Sequence, residues 1–283
     1  MAVQGFQPFS NLAPAFKIGL NPLSSGSNLY RDENLAAYIE EKRALYANKF
    51  SDVFMAESNT LEAQNEVLDL VGASVDTPIE DEGLPPLAAA ALHVQDDLLL
   101  MRHDESGWRL VAGSLCFPSS WNLGEKFGHP LEVIHAPVPY VEGKMGDRIR
   151  RIFDALRPDC PLWRENWSLE GDNLLRHDRR EREKSGYHKS EIVSGEIHLR
   201  TEYQTLHKLP KSGDILFTVM ILVKPVTEVA TLPAGPQIIQ RLYDDYFAMG
   251  EDGRVYKGIA QGAEPFLDLL RNLGAVEAST ERP

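Results

Sequence analysis

The chain has 283 residues, 43% apolar and 25% charged, with a formal net charge of −13, a composition that can bury one sizeable core. Its acidic balance opposes nucleic-acid phosphates and anionic lipid and favours cationic ligands or a basic protein partner. No apolar run approaches the ~20 residues that span a bilayer, no basic-then-apolar leader opens MAVQGFQPFSNLAP, and two cysteines, Cys116 and Cys160, are too few for a disulfide framework or zinc cluster. A cytoplasmic, reducing compartment is the expectation, with no nucleic acid and no membrane among the partners.

Residues 1–31 are rich in Pro, Ser, Asn and Gly and read as an irregular arm wrapping the body. NLAAYIEEKRALYANK (34–49) and NTLEAQNEVLDLV (59–71) carry apolar residues at helical spacing. DTPIEDEGLPP (76–86) is a breaker-rich loop. The chain then changes period. LLLMRH and WRLVAGSLCF flank an Asp-Glu-Ser-Gly turn and predict a β-hairpin over 98–117. A short helix follows Pro118, and KMGDRIRRIFDALRP (144–158) is an amphipathic helix stopped by Pro158. Two more strands, 196–210 and 214–225, join through Pro-Lys-Ser-Gly, and helices are expected near 235–248 and 264–273. Antiparallel strands interrupted by helices predict an α+β fold in one domain across 1–283, not a doubly wound sheet. No glycine-rich phosphate loop and no G-x-S-x-G elbow is present.

Two features carry candidate chemistry. In EIHLRTEYQTLHKL, period-two alternation puts His198, Arg200, Glu202 and Gln204 on one face and Ile197, Leu199, Thr201 and Tyr203 on the other. That polar face is either a solvated side of the sheet or the wall of a ligand cavity, where a carboxylate beside an arginine suits a cationic amine. In LEVIHAPVPYVEG, His135 stands at the end of an apolar run, and Pro137 and Pro139 restrict the backbone after it. It is either a hydrogen-bonded core residue or a metal ligand. Without a second ligand at metal spacing, a single imidazole fits haem better than zinc or non-haem iron, because the porphyrin supplies four nitrogens. The Cys160-Pro161 pair is too short a match to carry weight.

Four separated stretches, FKIGLNPL (16–23), CFPSSWNLGEKFGHPLEVIHAPVP (116–139), PLWRENWSL (161–169) and LRTEYQTLHKLPKSGDILFTV (199–219), resemble in order the haem-dependent oxidative N-demethylase family. The likeness runs from about residue 16 to about residue 260. It implies a PAS-like antiparallel sheet flanked by helices, with an N-terminal arm (1–31) and C-terminal helices (about 235–283), holding haem b. It also implies oxidation of a small secondary amine such as dimethylamine by O2, giving methylamine and formaldehyde. Electrons would come from NADPH through a partner reductase carrying FMN and a 2Fe–2S cluster, and tetrahydrofolate would take up the one-carbon unit.

Carried over by motif, His135 is the expected axial ligand of the haem iron, and Arg200, Glu202 and Gln204 are the expected catalytic residues lining the distal pocket. Glu202 would orient the amine or take its proton, and Arg200 would stabilise charge developing on oxygen. WRENW keeps Arg164, Asn166 and Trp167, with packing expected for Trp167. The chain departs from the family pattern at Tyr140-Val141, where Gly-Tyr is frequent, and at His207 and Lys208, where Arg is frequent. A haem-binding gas or redox sensor on the same scaffold, and an interaction module without haem, are the rival readings.

Overall fold

The computed structural model describes residues 9, 12–23, 29, 31–75, 79, 83–140, 143–181, 196–259 and 263–277. Its centre is a seven-stranded sheet in which every paired neighbour is antiparallel. The strands are β1 (Asn21–Pro22), β2 (Phe54–Ala56), β3 (Asp97–Asp104), β4 (Gly107–Ser114), β6 (Leu162–Glu170), β8 (His198–Lys208) and β9 (Ile215–Pro225), in the order β1-β6-β8-β9-β3-β4-β2. A parallel two-stranded ribbon, β5 (Ser119–Trp121) with β7 (His177–Asp178), sits apart.

The long strands β3 and β9 follow from apolar runs bounded by turns, and β8 pairs with β9 across one such turn. The hairpin β3–β4 turns at Glu105-Ser106, with Asp104 accepting from the Ser106 amide and hydroxyl. The β8–β9 turn uses Gly213 at φ +74°, a conformation glycine adopts without a Cβ clash. Strand β6 was not assigned from the sequence, because LWRENWSLE mixes charged and aromatic residues in a short span. It is nonetheless a full nine-residue strand paired to β8 from Leu162↔Leu206 to Glu170↔His198.

Helices α1 (Leu35–Val53) and α2 (Leu61–Gly72) fall where the helical period predicts them. A third, α3 (Pro86–Ala91), starts with proline in its first turn, where the missing N–H is not needed. Three helices lie between β4 and β6: α4 (Leu123–Lys126), α5 (Leu131–His135) and α6 (Lys144–Ala155). Four more follow the sheet: α7 (Val226–Val229), α8 (Gly235–Ala248), α9 (Glu251–Lys257) and α10 (Ala263–Asn272). No helix among the described residues is long and apolar enough to cross a membrane.

The two faces of β6 and β8 have different fates. Trp167, Leu169, Leu199 and Tyr203 pack with Ile238, Ile239 and Leu242 of α8 and Phe266 and Leu270 of α10. Burying such side chains contributes about 1.5–3 kcal/mol each, which anchors that face against the C-terminal helices. Trp167 thus has the packing position expected of it. The opposite face turns towards α4, α5 and α6. Only part of the N-terminal arm and of the 76–86 loop falls within the described residues.

Candidate functional site

A cavity of about 150 Å³ opens between the sheet and helices α4 to α6, and the space widens to about 860 Å³ when the open region at its mouth is counted. Leu99 and Met101 of β3, Leu206 of β8 and Phe217 of β9 form its sheet wall, and Ile149 and Phe153 of α6 contribute to the helical side. Its polar lining consists of Lys126, His135, Arg164 and Gln204, with no carboxylate among the residues that line it.

His135 enters from α5. A proline before the first turn and two after the last confine this short helix. The ring's Nδ1 lies 2.9 Å from the Leu131 carbonyl one turn back. A carbonyl only accepts, so Nδ1 carries the proton and Nε2 keeps its lone pair. Burial lowers the His135 pKa, and the Arg164 and Lys126 charges add to that effect more than the neighbouring Glu132 opposes it, although the Leu131 carbonyl favours the charged ring. The imidazole is therefore neutral at pH 7, the form that binds a metal.

The sheet contributes three cross-strand pairs on the cavity side: Arg164 with Gln204, Asn166 with Glu202, and Ser168 with Arg200. Facing residues of an antiparallel pair lie about 5 Å apart, so these six side chains form one patch. It is not a solvated sheet face. Arg200 is completely buried, and Glu202 and Gln204 are half-buried.

The three residues expected to share the pocket separate within this patch. Gln204 lines the cavity. Glu202 lies one pair further along and accepts at Oε2 from Gln204 Nε2 (2.7 Å) and Asn166 Nδ2 (3.1 Å). Burial pushes its carboxyl up, but hydrogen bonds from Ser119 and Asn166 and the charges of Arg200 and Lys257 bring it below the ordinary carboxylate value. Arg200 is outside the lining. Its guanidinium donates to Ser119 Oγ (3.0 Å), the Phe117 carbonyl (3.0 Å) and the Leu174 carbonyl (3.2 Å), bracing the chain on both sides of the small ribbon. The long side chain satisfies its donors on backbone before it can reach the void, a choice that strand alternation alone does not specify.

One residue of the cavity and one behind its wall complete the arrangement. Arg164 faces the void, and its Nε is buried without a hydrogen-bond partner. Lys257 of α9 is buried and donates to Asn166 Oδ1 (3.0 Å) and the Trp167 carbonyl (2.6 Å). Through Asn166 it reaches Glu202. Without a strand assigned over WRENW, the shared side of Arg164 and Asn166, their partner strand and their face all come from the structure. Cys160 is not part of the lining.

Ile18 and Leu20 of the N-terminal segment also line the cavity. Phe16 anchors them by packing on Tyr140 (5.1 Å between centroids) and Tyr256 (5.8 Å). Gly253 sits under that ring, where a Cβ would come within 2.9 Å of Phe16 Cε2.

The donor set can be tested against known cofactor chemistry. Among the described residues no group of three or more His, Cys, Asp or Glu side chains can hold a metal ion. One neutral imidazole in a largely apolar chamber with two cations and no acid suits a flat apolar macrocycle that brings its own nitrogens and two carboxylates. Haem fits these residues. A family model described as haem-dependent oxidative N-demethylase, alpha subunit-like, matches residues 72–267, which include every polar residue of the cavity. On that match, and on a cavity whose chemistry agrees with it, the chain belongs to the haem-dependent oxidative N-demethylase, alpha subunit-like family.

Proposed function

We propose that this chain is the haem-carrying subunit of a monooxygenase that demethylates a small secondary amine such as dimethylamine. In balanced form, dimethylamine, O2, two electrons and two protons give methylamine, formaldehyde and water. The observation that carries the reading is His135, a neutral imidazole with its Nε2 lone pair free, in the wall of an apolar chamber. The sheet order supports a PAS-like scaffold: numbering the five long strands by sequence, β3, β4, β6, β8 and β9, they lie side by side as 2-1-5-4-3.

Bound haem would supply the activation of O2, which no side chain here can perform. The chain's own residues bind and position. His135 would hold the iron, and the Leu131 carbonyl fixes the ring's tautomer and direction. Gln204 presents its amide to the substrate. Because Glu202 is ionised and only accepts, it takes the Gln204 NH2 group and leaves Oε1 to accept from an amine N–H. Glu202 is thereby a positioning residue, itself oriented by Asn166 and Lys257. Arg200 holds the 117–119 segment against the sheet. Ile18 and Leu20 keep water from that side of the chamber.

Electrons need a second protein. The whole chain has two cysteines, fewer than an iron–sulfur cluster takes, and no glycine-rich phosphate loop for a flavin nucleotide. A reductase using NADPH, FMN and a 2Fe–2S centre meets that need, and a cytoplasmic setting suits it.

The test begins with the optical spectrum of protein expressed with haem supplied, then follows amine-dependent oxidation of the donor with a competent reductase. Uptake of one haem per chain, loss of the native ferric spectrum in His135→Ala, and turnover of small amines are expected. A wild type that takes up no haem would end this reading. Haem uptake and O2 binding without turnover of any small amine would replace the enzyme with a sensor.

A further inference from the structure

The positive charge on the sheet side of the cavity comes from Arg164, which is half-buried. Its side chain lines the void on the sheet side, in register with Gln204, and its Nε has no hydrogen-bond partner among the described residues. The carboxylate whose charge acts on it, Glu202, already accepts two hydrogen bonds at Oε2. A half-buried guanidinium with a buried, unpartnered Nε and no bonded counter-charge is unfavourable, so the chamber is suited to a ligand that brings negative charge to that wall. Arg200 does not serve here, since its donors are spent on backbone carbonyls and Ser119 outside the lining. Lys126, the other cation of the cavity, donates to the Ile134 carbonyl at 2.8 Å on the helical side, where it suits a carboxylate at the rim of the macrocycle.

We propose that Arg164 is the anion-recognising residue of the chamber, and that the anion it meets is the ligand on the iron face opposite His135. The inference rests on the haem reading above. His135 comes from the helical wall and Arg164 from the sheet wall, so a macrocycle held by the imidazole would have the guanidinium on the sheet side of the chamber. Two neighbouring donors, the guanidinium and the Gln204 side chain, then differ in role: Arg164 favours negative charge at the iron ligand, and Gln204 selects an amine beside it. Such preorganised positive charge lowers the energy of any state in which the bound ligand gains electron density.

The experiment uses the full haem-loaded chain, in wild type, Arg164→Gln and Arg164→Lys. Ferric protein is titrated with azide and ferrous protein with carbon monoxide. Losing a charged hydrogen bond weakens azide binding about tenfold or more in Arg164→Gln, with part of the loss recovered in Arg164→Lys. Carbon monoxide affinity stays at the wild-type value, and the bound carbon monoxide stretch moves to higher frequency as the positive field is removed. Haem affinity is measured in parallel with haem and with its dimethyl ester, which lacks the two carboxylates, and is expected to be unchanged by Arg164→Gln for both.

Unaltered azide affinity in Arg164→Gln overturns the proposal and leaves the haem reading standing. Equal weakening of azide and carbon monoxide overturns it in favour of a packing role. A loss of affinity for haem but not for the dimethyl ester overturns it in favour of a contact to the haem carboxylate. A wild type that takes up no haem removes both the proposal and the reading beneath it.

Discussion

Gln204 donates to Glu202 Oε2 across 2.7 Å, and Asn166 donates to the same oxygen across 3.1 Å. Because a carboxylate only accepts, this pair decides which end of the Gln204 amide is turned to the cavity. A charge set behind the wall thus determines the polarity of the surface a substrate meets, a relationship that Glu202→Gln breaks without removing a hydrogen-bonding side chain.

In Glu202→Gln the Gln204 amide loses its fixed orientation. The specificity constant for the amine, kcat/KM, should fall by about ten- to a hundredfold, the range of an unsatisfied or misplaced buried hydrogen bond, with haem content unchanged. Steady-state oxidation at saturating reductant, with the haem spectrum as control, measures it. Unchanged kcat/KM would remove Glu202 from substrate orientation.

The pH dependence of haem retention follows from His135. Burial, followed by the Arg164 and Lys126 charges, holds the imidazole below the ordinary histidine value despite the Leu131 carbonyl. Protonation competes with iron for Nε2, so haem should stay bound as the pH falls through about 6.5, where an exposed histidine would begin to protonate. The ferric absorption spectrum recorded during acid titration reads this directly. Release centred above that pH would contradict the assignment.

Replacing Arg200 should affect stability before chemistry. Arg200→Met strips donors from Ser119 and from the carbonyls of Phe117 and Leu174, and orphaned buried acceptors cost about 1–3 kcal/mol each at the upper end. A loss of about 2–4 kcal/mol in denaturant unfolding is expected, with azide affinity per haem retained. A stable Arg200→Met protein that has lost only turnover would return Arg200 to the reacting group.

Asp96 gives the fold a pH-dependent component of its own. It is fully buried beside Asp97, and burial raises its carboxyl from 3.8 to about 6, even though Thr218 and Lys42 oppose that shift. The folded state therefore binds a proton more tightly than the unfolded chain. Its contribution is most favourable below about pH 4, is lost as the pH rises to about 6, and is flat above that, spanning roughly 3 kcal/mol. Asp96→Asn should show a flatter stability profile between pH 4 and 6. Identical profiles for the two proteins in chemical unfolding would refute the assignment.

Much of this architecture was legible in local patterns. Apolar runs bounded by turn signals located β3, β4 and β9, alternation marked out the two faces of β8, and helical spacing located α1, α2, α6, α8 and α10 within a few residues. The short pieces were not legible: β1 and β2 at the sheet edges, and the helical turn of α5, have too few residues to show a period. Strand β6 escaped notice for another reason. Its cavity-side residues Arg164, Asn166 and Ser168 are polar and its other face holds Glu165 among tryptophans, so neither face reads as a core.

The sequence by itself determined that Arg200, Glu202 and Gln204 share a strand face, and that one histidine is held by flanking prolines, because backbone geometry and alternation are local. Only the tertiary structure decided what that face meets. Pairing β6 with β8 in one register brings Arg164 beside Gln204 at the cavity, while the 117–119 segment captures the Arg200 guanidinium. Which of two arginines confronts a ligand depends on contacts between residues far apart in the chain, and the spacing within either strand carries no information about them.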